Sequence, residues 1–165
     1  AIPFINADGY HSKTIAYSIW HIFRIEDIVA HTVITEDEQV FFTGNYQVRI
    51  NSPIITTGNE LVKQQIADFS KQLNLEELYS YIFEVRESTE KILERFSYDE
   101  LKWKIPDERK GYLKSLNVVN CDEKAIWLID YWCSKDIRGL IQMPFSRHWI
   151  MHTEACLRIK NKMHS

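Results

Sequence analysis

Leu75, Leu78, Ile82, Val85, Thr89, Ile92 and Phe96 follow one another in alternating steps of three and four residues. On a helix that spacing draws one narrow apolar seam, while Glu76, Glu77, Glu84, Glu87, Glu90, Lys91 and Glu94 fall on the other face. A helix with so narrow a seam is stable only when the seam is buried against further helices, so the chain is constrained toward a helical bundle. Asn74 stands ready as the N-cap. The charged face reads as a solvated surface and not as an acidic site.

Other stretches agree with a helical fold. From Ser12 to about Ile34 an apolar arc holds Ile15, Ile22, Ile25, Ile28, Val29 and Val33. Arg24, Glu26, Asp27 and Ala30 lie outside that arc, so Glu26 and Asp27 are expected to project away from it and either orient other residues or pair with Arg24 at the surface. Thr57-Gly58-Asn59-Glu60 has the form of a capping box, with a helix following to about Leu73. Ser97 to Glu100 repeats the form, and Pro106 can open a turn ahead of residues 107–116. A helix from about Asp122 to Ser134 buries Ala125, Leu128, Ile129 and Trp132, and the last helix begins near Ser146. Residues 36–56 are read as a long ordered loop, because the alternation through Tyr46, Val48 and Ile50 is too short for an independent hairpin. Residues 1–10 read as an extended lead-in. The fold class is therefore all-α: an antiparallel four-helix bundle forming one domain over residues 1–165, with a long ordered loop after the first helix.

The stretch Arg147 to Ile159 carries a H-x-x-x-H pair. His148 and His152 lie about 40° apart on the helical wheel and about 6 Å apart along the axis, so both imidazoles leave one face. Phe145, Met151, Ala155, Cys156 and Ile159 share that face, which directs the pair into a core. His21 stands at the edge of the buried arc of the early helix. Three inward imidazoles from two facing helices form a set able to hold a divalent ion with positions left for water or substrate. Trp149 occupies the place where a zincin would carry its general base, which excludes thermolysin-type chemistry. His31 projects nearer the polar side and is a poorer ligand, while His11 and His164 lie outside the helical pattern.

Composition removes several other classes. Net charge is −3, and the basic residues are scattered without interleaved aromatics, so no nucleic-acid partner is expected. No apolar run is long enough for a transmembrane helix, so no membrane partner is expected either. Cys121, Cys133 and Cys156 are odd in number and lack finger spacing, which fits reduced thiols and a cytoplasmic setting.

A cation held by three neutral imidazoles keeps its charge, and it can acidify a bound water or stabilise a thiolate. Either reaction on a small molecule needs a proton acceptor. Tyr17, one turn before His21 on nearly the same face, is the candidate. Trp20, Trp132 and Trp149 are read as core residues in preference to pocket walls. Cys156 is read as a small core residue on the ligand side of its helix.

Ser18-Ile-Trp-His-Ile-Phe-Arg-Ile-Glu-Asp27, Thr57-Gly-Asn59, Trp127-Leu-Ile-Asp-Tyr-Trp132 and Met143-Pro-Phe-Ser-Arg-His-Trp-Ile-Met-His152 together resemble the DinB-like (YfiT-like) superfamily of helical-bundle metal-dependent enzymes. The resemblance spans residues 3 to 162. It implies that His21, His148 and His152 bind zinc or nickel in a four-helix bundle that pairs as a homodimer. It also implies one more helix before Ile2-Pro3-Phe4, so a shortened N-terminus is expected. The chemistry it implies is hydrolysis of a small substrate, or transfer of a low-molecular-weight thiol such as bacillithiol or mycothiol. Two other readings stand beside it: a non-catalytic bundle that binds a metal or small ligand, and a bundle whose histidines are merely hydrogen-bonded in the core.

Overall fold

The computed structural model describes residues 13–162; the expectations for residues 1–10, for His11 and for His164 lie outside them. Among the described residues the chain is helical, without strands. Helix α1 (Ile15–Asp27) runs on through a π-helical stretch, Ile28–Thr35. Then come α2 (Val40–Thr43), α3 (Tyr46–Ile50), α4 (Gln64–Gln72) and α5 (Leu75–Leu93). A 3-10 turn (Glu100–Lys102) precedes α6 (Arg109–Ser115), α7 (Glu123–Cys133), α8 (Ile137–Gln142) and α9 (Arg147–Lys162).

Several local signals act as expected. Asn74 caps α5 by accepting from the backbone N–H groups of Glu76 and Glu77. Asp122 caps α7 through the Lys124 N–H. The box at Ser97 closes reciprocally, since the Ser97 N–H donates to the Glu100 carboxylate and the Glu100 N–H to the Ser97 hydroxyl. The α5 seam buries Leu78, Val85, Thr89 and Ile92, and adds Tyr81.

Three expectations are corrected. The box at Thr57 does not open a helix. α4 starts only at Gln64, without a side-chain cap, because residues 52–63 turn around α1 and present backbone to it. Residues 36–56 are not a plain loop, since the short helices α2 and α3 form there and seat Phe41, Tyr46 and Ile50 in the core. The third correction concerns α1. This helix is buried on every side: Arg24, Glu26 and Asp27 are at most 1% exposed, against the expected surface placement.

α1 is surrounded because it lies between two apolar clusters. Tyr17, Trp20, Ile22 and Phe23 pack with α3, α4 and α5. Ile25, Ile28, Val29 and Val33 pack with α6, α7 and Leu140 of α8. A helix so enclosed must satisfy its polar groups internally. Asp27 accepts from the Val40 and Phe41 N–H groups, both at 2.9 Å, and from the Tyr81 hydroxyl at 2.8 Å. Arg24 lies 3.5 Å from Asp27, donates to the Ile55 carbonyl and the Gln39 amide oxygen, and stacks on Phe41. These bonds start α2 and hold the connection to α4 against the central helix.

Replacing Asp27 by Ala removes acceptors for three donors and leaves the Arg24 guanidinium buried without its carboxylate. The expected loss is about 3–5 kcal/mol of unfolding free energy. Urea unfolding followed by circular dichroism checks this; a loss under about 1 kcal/mol would show that the network does not carry the fold.

Candidate metal site

α1 brings His21 and α9 brings His148 and His152 to one point. The three are buried, and one ligating nitrogen from each lies within 4.8 Å of the others. The rings pack with centroids 4.5–5.1 Å apart. Two of them come from the i, i+4 spacing on α9, where His148, His152, Ala155 and Ile159 form the buried stripe. Met151, expected on that stripe, is 60% exposed. It sits beside the opening above the histidines.

The His21 ring is fixed from behind. Its Nδ1 lies 2.6 Å from the Thr57 carbonyl, an acceptor, so Nδ1 carries the proton and Nε2 keeps its lone pair. Tyr17 stacks on the other side of this ring and donates its hydroxyl to the Gly58 carbonyl at 2.8 Å. Gly58 has φ +76°, and a Cβ there would fall 2.8 Å from Trp20 and 3.1 Å from Tyr17. Only glycine permits this close approach without strain. The Thr57-Gly58 signal in the sequence thus marks an orienting turn and not a helix start.

The cluster differs from a set of satisfied core histidines. The Nδ1 atoms of His148 and His152 are buried and have no hydrogen-bond partner. Such atoms are costly unless a donor or a cation meets them. Burial, and then neighbouring positive charge, draws His148 down to about 4 and His152 to about 3, and holds His21 well below the ordinary value of 6.5. All three rings are therefore neutral at physiological pH, the form that binds metal. The residues present fit a divalent ion.

His31 behaves otherwise. It is buried on the π-helical stretch, with Nδ1 2.6 Å from Asp37 and Nε2 2.9 Å from the Ser88 hydroxyl. Both nitrogens are engaged, so it stays outside the ligand set as expected.

Beside the three histidines opens a cavity of about 320 Å³. Leu128, Tyr131 and Trp132 of α7 form one wall, Met143 and Pro144 another, and half-exposed Trp127 stands at its edge. Trp132 therefore belongs to the cavity, whereas Trp20 and Trp149 pack against Phe69 and Phe23. Lys13 and Asn59 also line it, and sequence reasoning missed both. Nothing in their local spacing sets them apart, because they reach the cavity from separate loops. Among the described residues no aspartate or glutamate lines it. Tyr17 is not on its wall, and burial pushes the phenol above its ordinary value, so this hydroxyl is poorly suited to accept a proton. Cys156 is half-buried on α9, and burial raises its thiol.

α9 is held to α1 by a second contact. The Trp149 indole N–H donates to Glu26 at 2.9 Å, and Arg86 of α5 lies 3.6 Å from the same carboxyl. Burial pushes Glu26 up from 4.5 to about 7, while Thr89, Arg86 and Trp149 oppose the shift. Between these values the folded chain keeps a proton that the unfolded chain has lost, so stability falls as pH rises through that window. Glu26→Gln removes the effect. Relative to the variant, the wild type is expected to lose about 3 kcal/mol between about pH 4.5 and 7, read from unfolding midpoints across pH; parallel profiles would refute it. Gly58→Ala is expected to cost about 1–3 kcal/mol through the strained backbone and to weaken metal binding by shifting the Thr57 carbonyl. A fully stable Gly58→Ala protein with undiminished metal affinity would show that this turn does not orient His21.

No helix among the described residues is long and apolar enough to cross a membrane. No family model, no curated protein and no solved structure matches this chain.

Proposed function

We propose that this chain is a metal-dependent enzyme of the DinB-like type, in which His21, His148 and His152 hold zinc or nickel beside a cavity for a small substrate. The long helices α1, α5, α7 and α9 are the natural members of its four-helix bundle. The observation that carries the reading is the buried cluster itself: two imidazoles on α9, each with a nitrogen that has no partner, packed against a third whose tautomer is already set. A divalent ion held by three neutral imidazoles keeps its full charge and acidifies a water or thiol bound beside it.

The chain's own residues bear on which nucleophile is used. Among the described residues no carboxylate lines the cavity, and with the Tyr17 hydroxyl turned to Gly58 they offer no evident group to take a proton from water. A thiol, with an ordinary pKa near 8.5, gives up its proton to solvent far more readily. Transfer of a low-molecular-weight thiol is therefore the better fit, and hydrolysis the lesser one. The free cysteines suit the reducing cytoplasm in which such thiols are kept, and a homodimer is the assembly proposed with this reading. The missing proton acceptor also favours a second reading, a bundle that binds metal or a small ligand without turnover.

Elemental analysis of untagged protein is expected to find about one zinc or nickel ion per chain, and none in His148→Ala. The ion should be retained through mildly acidic pH and released only below about 4, where first His148 and then His152 take up protons in competition with it. Absence of metal even after reconstitution would sink the enzymatic reading and leave only the binding of a small ligand. Turnover of a thiol acceptor or chromogenic ester, abolished by His152→Ala in a folded protein, separates the enzyme from the binding module.

A further inference from the structure

The cavity beside the three histidines is asymmetric in charge. Lys13 lines it, and its ammonium lies close enough to act electrostatically on His21, His148 and His152. Lys71, Lys91, Lys102 and Lys110 each sit against a carboxylate: Asp68, Glu87, Asp99 and Asp130. Lys13 has no such neighbour on the cavity wall, where no acidic residue among the described ones is found. The remaining wall is mostly apolar and aromatic, apart from the Asn59 amide, whose buried oxygen has no partner. The neutral imidazoles do nothing to balance the ammonium, and a divalent ion would add two more positive charges. A partly enclosed site of this kind leaves its charge uncompensated unless the ligand brings the counter-charge. At about 320 Å³ it is at the small end of ligand cavities.

We propose that the cavity selects a compact organic acid, with its carboxylate on Lys13 and its apolar or aromatic body against Leu128, Tyr131 and Trp132. This deepens the enzymatic reading by naming the substrate class and rests on the same cavity. It does not require the ion for its first test, because Lys13 supplies positive charge in the metal-free protein.

The probes are 3-phenylpropionate and 3-phenylpropanol, which share a body and differ in charge. Calorimetric titration of metal-free wild type is expected to show the acid binding about ten-fold tighter than the alcohol, the scale of one charge-assisted contact. Lys13→Met should reduce that preference to below about two-fold with an unchanged melting temperature, and Lys13→Arg should keep it. Equal affinities in the wild type, a preference that survives Lys13→Met, or no binding of the acid at millimolar concentration would each overturn the proposal. Metal content measured on the same preparations keeps the two ideas apart. Zinc or nickel with no preference for the acid sinks the substrate class alone; preference for the acid in a protein that cannot hold metal sinks the enzymatic reading alone.

Discussion

One helix is buried on all sides, and most of what is distinctive in this protein follows from that. An enclosed α1 cannot shed its polar side chains to water, so most of the polar residues carried by the helix or its π-helical extension take partners inside the protein, although the Ser18 hydroxyl and the Trp20 indole N–H do not. Thr14 pairs with Ser70, His21 with the Thr57 carbonyl, Arg24 with Gln39 and the Ile55 carbonyl, Asp27 with Tyr81 and two N–H groups, and His31 with Asp37 and Ser88. Several of these partners are backbone atoms of residues 37–58. The connection between α1 and α4 is therefore shaped by the needs of the helix it wraps, more than by its own propensities.

The same demand builds the site. Thr57 and Gly58 turn their carbonyls toward His21 and Tyr17, so the orientation of one imidazole depends on a glycine two turns of loop away from any helix start. On α9 the demand is left open, since His148 and His152 keep buried nitrogens without protein partners. Other buried polar atoms also lack partners, among them the Ser18 hydroxyl and the Asn59 oxygen, but these two ring nitrogens belong to a cluster of three neutral imidazoles beside a cavity, which fits them to a ligand that enters from outside. The cavity wall agrees in character: apolar on the α7 side, cationic at Lys13, and without acid among the described residues.

Stability and function are thereby tied together through Glu26. Its carboxyl receives the Trp149 indole N–H, and Trp149 is the neighbour of His148 on α9. The carboxyl that helps seat the ligand-bearing helix is also one that burial keeps reluctant to ionise. The same contact helps fix where α9 presents its histidines to His21.

Much of the fold was legible in local pattern. The α5 seam, the caps at Asn74 and Asp122, the burial stripe of α7 and the i, i+4 histidines on α9 all rest on interactions within a few residues, which helix periodicity determines by itself. The convergence of His21 with that pair was also readable, as the meeting of two inward stripes. Tertiary structure decided the rest. The wheel placed Arg24, Glu26 and Asp27 in water because it sees one helix at a time, and only packing on every side of α1 explains their burial. The box at Thr57 was overridden because its carbonyl does more for the fold on His21 than its side chain would at a helix end. Asn59 and Trp127 stand in stretches that carry the family resemblance, yet no local spacing shows that they and Lys13 meet at one cavity; chain crossings bring them there. Sequence by itself determined the long helices α1, α5, α7 and α9 and the face of α9 that carries the histidines, since those depend on neighbours along the chain. Which polar groups are enclosed, what orients the imidazoles and what lines the cavity were decided in space, by contacts between residues more than a hundred positions apart, such as Glu26 with Trp149 and His21 with His152.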